Sequence, residues 1–204
     1  MMKALIVLSV CIAGSLAFPE LPKNTSNIWA LLVAGSNGYY NYRHQADVCH
    51  AYHVLSSHGV PDDHIVVMMY DDIANSDDNP DKGTIINKPG GPDVYKGVPK
   101  DYTKGDVTPD NFLKIMQGQK VGTGSGKVIN SGPDDYVFIN LVDHGAVGIF
   151  GFPTAYLYRK ALTEALDAMH TNNRYKQLVF YMEACEAGSM FEDVPEDTNS
   201  KQIG

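Results

Sequence analysis

The amino-acid sequence predicts an α/β protein built on a mostly parallel β-sheet with helices on its faces. Short, continuously apolar runs alternate along the chain with segments of helical pattern, an order typical of layered α/β folds. Continuous rather than alternating apolar runs indicate strands that are buried on both faces, as the strands of parallel sheets are. The sequence shows no internal repeat.

The first part of the chain predicts a strand, a helix and a second strand. Residues 28–34 are apolar throughout and lead into the loop 35–38, as expected of a buried strand. Residues 44–58 lack Gly and Pro and are followed by Gly59, which is typical of a helix and its C-terminal end. Residues 65–69 are the second apolar run, and this order predicts a right-handed parallel crossover.

The middle of the chain predicts mainly irregular structure. Residues 71–104 are rich in Asp, Asn, Pro and Gly, and a loop of this length is typically functional or disordered. Thr108 and Pro109 predict the N-cap and first turn of a short helix that runs to about Gln117. A second flexible connection is predicted over residues 118–132.

The last third of the chain predicts two more strands and a helix between them. Residues 136–142 form the third strand and are followed by a small hairpin around 147–152. Residues 158–170 predict a helix with one apolar face, and 177–182 predict the fourth strand.

Composition excludes some classes of function. The chain has 24 acidic against 16 basic residues and a net charge of −8, so it lacks the basic face that nucleic-acid binding requires. Of its 204 residues, about 187 remain once a predicted N-terminal signal is removed, which is enough for one well-packed domain and hardly for two.

The N-terminus has the pattern of a secretory signal peptide. Lys3 precedes an apolar stretch, and small residues at 15 and 17 predict cleavage after Ala17. The stretch is too short to cross a bilayer, so we expect no membrane span. Asn24 begins the sequon Asn-Thr-Ser and is a predicted N-glycosylation site.

The cysteines predict a reactive thiol rather than a disulfide framework. Cys11 belongs to the predicted signal, which leaves only Cys49 and Cys185. Cys49 lies inside the first predicted helix with no base beside it, so we expect it in the core. A single reactive thiol on the secretory route favours an acidic endolysosomal compartment.

Two short polar peptides follow the third and fourth predicted strands. His144 lies in Asp-His-Gly after the third strand, and Cys185 lies in Glu-Ala-Cys after the fourth. Alone, Cys185 could be an inert core thiol and His144 a structural partner of Asp143. Neighbouring parallel strands are roughly 5 Å apart, and their carboxyl ends are where functional groups collect. Together the two side chains therefore predict a thiol nucleophile and its base.

This pairing fits acyl-transfer chemistry. The thiolate is the attacking form of cysteine, and a neighbouring imidazolium stabilises it and later protonates the leaving amine. The backbone N–H groups of Gly145 and Cys185 would form an oxyanion hole, in which one donor contributes about 3–4 kcal/mol.

Three other motifs resemble metal or phosphate sites but lack residues that such sites require. We therefore predict neither a metal nor a cofactor. Residues 77–88 begin like a calcium loop but have lysine at the sixth and twelfth positions. Residues 121–128 resemble a phosphate-binding loop but begin and end with valine. His50 and His53 share a helix face without an acidic ligand nearby in the sequence.

The motifs resemble those of the legumain family (C13) of caspase-like cysteine peptidases, which cleave after asparagine. The likeness extends from about Trp29 to Asp197. It is carried by Asp-His-Gly, Glu-Ala-Cys-Glu and the segments 33–38, 41–47, 66–72 and 97–102. The resemblance implies a caspase-like layered fold, with a signal at 1–17, a short pro-segment at 18–27 and a peptidase domain at 28–204.

The resemblance also implies a role for each catalytic residue. Cys185 matches the nucleophile, His144 the base and Asn41 the residue that orients the histidine. Asp143 matches a position that can cyclise with the neighbouring backbone into a succinimide.

Three further residues match the S1 pocket of the family: Arg43, His44 and Glu183. A carboxamide offers one acceptor and one donor, so a cation and a carboxylate suit an asparagine side chain. At low pH the pocket would also admit protonated aspartate. The implied partners are Asn-containing proteins or peptides and cystatin-type inhibitors, in an endolysosomal or vacuolar lumen or outside the cell.

The sequence departs from the family pattern at two places. Ala187 stands where serine is usual, and after about residue 199 the family would continue into strands that complete S1 and into a C-terminal pro-region. We therefore expect a sheet truncated after the fourth strand, as in a fragment, isoform or gene-model truncation. Residues 177–182 would then be an exposed, aggregation-prone edge, and the chain would be marginally soluble and weakly active.

Two alternatives to an asparaginyl endopeptidase follow from the same residues. One is a transamidase of the same clan, and the other is a truncated, non-catalytic protein that keeps part of the fold.

Overall fold

A five-stranded parallel sheet forms the centre of the protein in a computed structural model, which describes residues 24–195, 198 and 200–203. The strands of the chain are Ile28–Ala34 (β1), Ile65–Met68 (β2), Tyr136–Val142 (β3), Gly145–Ala146 (β4), Ile149–Gly151 (β5), Tyr156–Tyr158 (β6), Gln177–Glu183 (β7) and Ser200–Ile203 (β8). The α-helices are Tyr42–Ser57 (α1), Pro109–Met116 (α2) and Arg159–Thr171 (α3). The order across the central sheet is β2-β1-β3-β7-β8, and each neighbouring pair is parallel.

The predicted fold class is confirmed, and the predicted elements are present. β1 and β3 have the predicted bounds because β1 is apolar throughout, β3 is apolar except for Asn140, and the two runs end at Gly35 and Asp143. Thr108 caps α2, since its side chain accepts a hydrogen bond from the N–H of Asn111 at 3.2 Å. α1 begins at Tyr42, two residues before the predicted start.

Helices cover both faces of the central sheet. Leu31 and Val33 of β1 point to the face that packs against α2 and α3, whereas Ala30 and Leu32 point to the face covered by α1. This alternation is the two-residue period of a strand that is buried on both sides. The sheet is thereby held rigidly, and so are the residues just beyond its carboxyl end.

The segment between β2 and α2 is packed onto α1, although its only regular element is the short 3₁₀ helix Lys104–Asp106. Ile85 and Val94 belong to the core cluster on the α1 side. The N–H of Ile86 donates to the Tyr42 hydroxyl at 2.6 Å, and the amide of Asn87 donates to Asp47 at 2.8 Å. The sequence predicted that this loop is either functional or disordered, and in the structure it is ordered.

A small antiparallel sheet begins directly after His144 in the chain. β4, β5 and β6 form it in that order, so the predicted hairpin has a third strand. Phe150 and Leu157 bury one face of this sheet in the core, which holds it against the large sheet.

The prediction that the fourth main strand is an exposed edge is wrong. β8 pairs with β7 in parallel, with Leu178 opposite Ser200 and Tyr181 opposite Ile203, so the sheet has one strand more than expected. The Tyr175 hydroxyl donates to the carbonyl of Thr198 at 2.8 Å and holds the connection to β8. Sequence reasoning missed β8 because Ser-Lys-Gln-Ile has no apolar run, and an edge strand needs none.

The predicted signal peptide at 1–17 and most of the predicted pro-segment lie outside the described residues. Within the described part of the chain, no helix has the length and apolar character needed to span a bilayer.

Candidate active site

The carboxyl ends of β3 and β7 bring the two predicted catalytic peptides together. Val142 is opposite Glu183 in the parallel register, and the N–H of Asp143 donates to the carbonyl of Glu183 at 3.1 Å, which extends the ladder past both strands. His144 and Cys185 are each two residues beyond that last pair. The neighbouring strand ends predicted from the sequence are therefore present.

The backbone of Gly145 lies directly against the Cys185 peptide. A Cβ atom built on Gly145 would be 2.7 Å from the carbonyl oxygen of Cys185 and 3.0 Å from Cβ of Ala184. Real Cβ atoms do not come so close to a carbonyl oxygen, so any side chain at this position would push the two peptides apart. The two predicted oxyanion donors belong to these touching segments.

Asn41 contacts His144 although 103 residues separate them in the chain. His144 Nε2 and Asn41 Oδ1 are 2.9 Å apart. The amide oxygen only accepts, so Nε2 carries the hydrogen and Nδ1 is the ring nitrogen free to accept a proton. Asn41 is itself held, since its side-chain amide donates to the carbonyl of Asn37 at 3.0 Å and its N–H to that of Gly38 at 2.9 Å.

His44 lies behind His144 and is only 2% exposed. The two rings meet edge to face with centroids 5.2 Å apart. His44 Nδ1 is 2.7 Å from the Ser36 hydroxyl and 3.4 Å from Oδ1 of Asp143. His44 is therefore buried and packs against the His144 ring. Its substrate-binding role stays a prediction.

Asp143 is buried in a cradle made by two glycines. Cβ atoms built on Gly35 and Gly151 would be 2.8 and 2.7 Å from its Oδ2, so neither position has room for a side chain. Its Oδ1 makes no hydrogen bond to any residue that the structure describes and lies 3.4 Å from Nδ1 of His44. Sequence reasoning found Asp143 but not this glycine cradle, which has no local signature.

The two remaining thiols differ sharply in their surroundings. Cys185 is exposed at the end of β7, whereas Cys49 is fully buried in α1 with its Sγ 3.9 Å from Sδ of Met69. Burial raises the pKa of the Cys49 thiol to about 12, which keeps it neutral and inert. The prediction that Cys49 is a core residue is confirmed.

Arg43 and Glu183 are exposed at the same edge of the sheet. Glu183 is the last residue of β7, and Arg43 is in the first turn of α1, which follows β1. Neither forms an ion pair with another residue in the described ranges, so both charges are open to a ligand.

One group of side chains in the site could hold a metal ion. Donor atoms of His44, Asp143 and His144 all lie within 4.8 Å of one another. His44 Nδ1 already contacts Ser36, and His144 Nε2 already contacts Asn41, so a metal ion would have to compete with these hydrogen bonds.

The predicted glycosylation residue is exposed and locally ordered. Asn24 Oδ1 accepts hydrogen bonds from the N–H and the hydroxyl of Ser26, at 3.1 and 2.6 Å. Its side chain therefore caps the short 3₁₀ turn that precedes β1.

A thiol and an imidazole at neighbouring strand ends of an α/β sheet, with an amide oxygen beside the imidazole, form an arrangement typical of cysteine peptidases. Within that class, the chain belongs to the Peptidase C13 family, whose sequence profile matches residues 28–203. The resemblance inferred from the motifs is confirmed.

Curated relatives support the assignment along most of the chain. The chain is 51% identical to Legumain of Homo sapiens over 200 residues, which are 97% of this chain and 46% of that protein. It is 54% identical to Legumain of Rattus norvegicus over 86% of this chain and 41% of the relative. It is 53% identical to the Vacuolar-processing enzyme of Vicia sativa over 87% of this chain and 38% of the relative. The chain thus spans less than half the length of the curated relatives it matches.

Proposed function

We propose that this chain carries the catalytic residues of a cysteine endopeptidase that hydrolyses peptide bonds after asparagine. The observation that carries the proposal is the Asn41–His144 contact of 2.9 Å beside an exposed cysteine at the next strand end. Membership of the C13 family and the identity to legumains support it.

In this mechanism His144 takes the thiol proton at Nδ1, and the Cys185 sulfur attacks the carbonyl carbon of the scissile bond. The N–H groups of Gly145 and Cys185 stabilise the oxyanion that forms. When the C–N bond breaks, His144 returns the proton to the leaving amine and a thioester remains on Cys185. Water then attacks the thioester with His144 as base, the carboxylic acid is released, and the thiol is restored.

Asn41 orients the base in this scheme. The His144 Nε2–H donates to its amide oxygen, which selects the tautomer that accepts a proton at Nδ1. The Asn41 amide is in turn held by the carbonyl of Asn37, so the acceptor does not rotate away.

Arg43, Glu183 and His44 are the proposed S1 residues. An asparagine side chain would accept from the exposed guanidinium and donate to the exposed carboxylate, and the uncharged form of aspartate could replace it at low pH. His44 lies buried behind His144, so its part would be to shape the floor of the site rather than to meet the bulk of the substrate.

Asp143 is the proposed succinimide position. It is confined between Gly35 and Gly151, and its Oδ1 has no hydrogen bond among the described residues, so no such bond has to break when an oxygen leaves as water. Loss of one water from the Asp143 carboxyl and the neighbouring backbone N–H would form the ring and lower the mass by 18 Da.

The proposed setting is an endolysosomal or vacuolar lumen reached by the secretory route. The predicted signal at 1–17, the exposed sequon at Asn24 and the name of the plant relative, vacuolar-processing enzyme, support it. Residues 18–27 would be a short pro-segment and 28–204 the peptidase domain. Asn-containing proteins are the proposed substrates, and cystatin-type inhibitors are proposed binders by family likeness.

The test is cleavage of a fluorogenic peptide that ends in Asn, with Gln and Asp peptides alongside, at mildly acidic pH. The full chain is compared with its Cys185→Ser variant and, as a thiol control, Cys49→Ala. We expect Asn-selective turnover that Cys185→Ser abolishes and Cys49→Ala retains.

Two outcomes of this test would point elsewhere. Folded protein with no turnover would favour the non-catalytic alternative. Peptide transfer to an added amine, with no hydrolysed product by mass, would favour a transamidase.

A further inference from the structure

The backbone immediately after Cys185 adopts a left-handed turn. Glu186 has φ 56° and ψ 28°, and it precedes the 3₁₀ helix Ala187–Met190. A left-handed conformation is costly for a residue with a side chain, so it persists where neighbouring contacts hold it. The contacts that hold it here come from Ser189.

The Ser189 hydroxyl joins the Cys185 segment to the β4–β5 turn. Its Oγ donates to the carbonyl of Glu186 at 2.6 Å and accepts from the N–H of Gly148 at 2.9 Å. The single hydroxyl hydrogen and one lone pair are thus both used, and each bonds to a different backbone segment.

Arg159 also joins the β4–β5 turn to the segment that follows Cys185. Its backbone N–H donates to the carbonyl of Gly148 at 3.0 Å, and its Nη1 donates to the carbonyl of Ser189 at 3.3 Å. The guanidinium also pairs with Glu192 and lies 3.0 Å from Asp193, which orients it from the far side.

The segments joined in this way carry the two proposed oxyanion donors. Gly145 begins β4, three residues before Gly148, and Cys185 directly precedes Glu186. The backbones of Gly145 and Cys185 already touch, so a small movement of either segment changes the spacing of their N–H groups.

We propose that Ser189, supported by Arg159, is a positioning residue that sets the spacing of the oxyanion donors on Gly145 and Cys185. The proposal rests on the proposed function. Ser189 acts through the backbone, and neither the nucleophile nor the base depends on its hydroxyl. Loss of that hydroxyl should therefore affect carbonyl chemistry but not the reactivity of the thiol itself.

The experiment compares turnover with alkylation in Ser189→Ala, Ser189→Thr and the wild-type chain. Turnover of the Asn peptide requires an oxyanion at a carbonyl. Iodoacetamide alkylates Cys185 by forming an S–C bond at a saturated carbon as iodide leaves, and no oxyanion develops. Ser57→Ala is the matched control, because that hydroxyl donates to the carbonyl of Val54 at 2.9 Å on the surface of α1.

We expect kcat of Ser189→Ala to fall by about 10- to 100-fold, as for a donor displaced by a fraction of an ångström. KM and the alkylation rate of Cys185 should stay at the wild-type values. Ser189→Thr, which keeps the hydroxyl, should recover most of kcat, and Ser57→Ala should behave as wild type. Arg159→Gln should lower kcat in the same direction by a smaller factor, which provides a second test if Ser189→Ala does not fold.

Three results would overturn the inference. They are an unchanged kcat in folded Ser189→Ala, an equal loss of kcat and alkylation rate, and a loss that appears only in KM. If the wild-type chain is alkylated at Cys185 but cleaves no peptide, the proposed function itself fails. Turnover in the wild type with no effect at Ser189 refutes only the positioning role.

Discussion

Substitution of Gly145 by alanine tests the contact on which the proposed oxyanion hole depends. The new Cβ would lie 2.7 Å from the carbonyl oxygen of Cys185, and ordinary contact begins at 3.4 Å. The clashing atom is a backbone oxygen, which cannot rotate away as a flexible side chain would. The Gly145 and Cys185 peptides must therefore separate by about 0.7 Å.

The expected magnitude follows from this displacement. Overpacking of this kind costs about 1–3 kcal/mol of folding free energy, so the melting temperature should fall but the chain should still fold. A displacement approaching 1 Å in a catalytic group lowers the rate by about 100-fold, similar to the removal of one oxyanion donor. We expect a fall of about 100-fold in kcat for Gly145→Ala.

The assay is turnover of the Asn peptide together with alkylation of Cys185 by iodoacetamide, with the fold checked by circular dichroism. Gly188→Ala is the matched control, since a Cβ at Gly188 meets nothing within 4 Å and lies in the same segment as the nucleophile. Turnover should fall in Gly145→Ala while alkylation persists, and Gly188→Ala should match the wild type. Wild-type turnover in folded Gly145→Ala would refute the assignment of its N–H as an oxyanion donor.

Three further predictions follow from the site and the core. Asn41→Ala removes the acceptor of the His144 Nε2–H. We therefore expect kcat to fall by about 2- to 10-fold with KM unchanged. A loss confined to KM would contradict the orienting role. Peptide mapping after iodoacetamide treatment of the native chain should show label on Cys185 and none on Cys49, whose burial raises its pKa to about 12; labelling of both without denaturant would refute the core placement. Burial raises the pKa of Tyr175 to about 12 from its ordinary 10, so the folded chain holds that proton over the range in which the unfolded chain loses it, and stability falls as pH rises from 10 to 12. Urea unfolding between pH 9 and pH 11.5 should give a shallower decline for Tyr175→Phe, and an identical slope would contradict this.

The strands could be predicted where the local sequence is apolar enough to favour a buried strand over any other structure. The run that became β1 is apolar from end to end, and the run that became β3 is interrupted only by Asn140, so both have a single favourable place, inside a sheet covered on both faces. β8 was missed for the opposite reason, because an edge strand is held by backbone hydrogen bonds to β7 and needs no apolar pattern of its own.

Some features of the candidate site could be predicted from the sequence, and others could not. The placement of His144 and Cys185 at neighbouring strand ends could be predicted, since the carboxyl ends of neighbouring parallel strands meet at one edge. The role of Asn41 came from family resemblance, because nothing local links it to a histidine 103 residues away. The contacts of Ser189 could not be foreseen from the sequence, since each joins a side chain to the backbone of another segment.

The sequence by itself determined the fold class, the order of the helices and of the first four main strands, the family, and the thiol and imidazole that carry the proposed chemistry. These properties depend on apolar periodicity and on residue identity, both of which are written along the chain. Only the tertiary structure decided that β7 is an interior strand, that His44 is buried behind His144, and that Ser189 and Arg159 join the two donor-bearing loops. These properties depend on distances between backbone segments, and such distances are set by the packing of the whole core rather than by any local pattern.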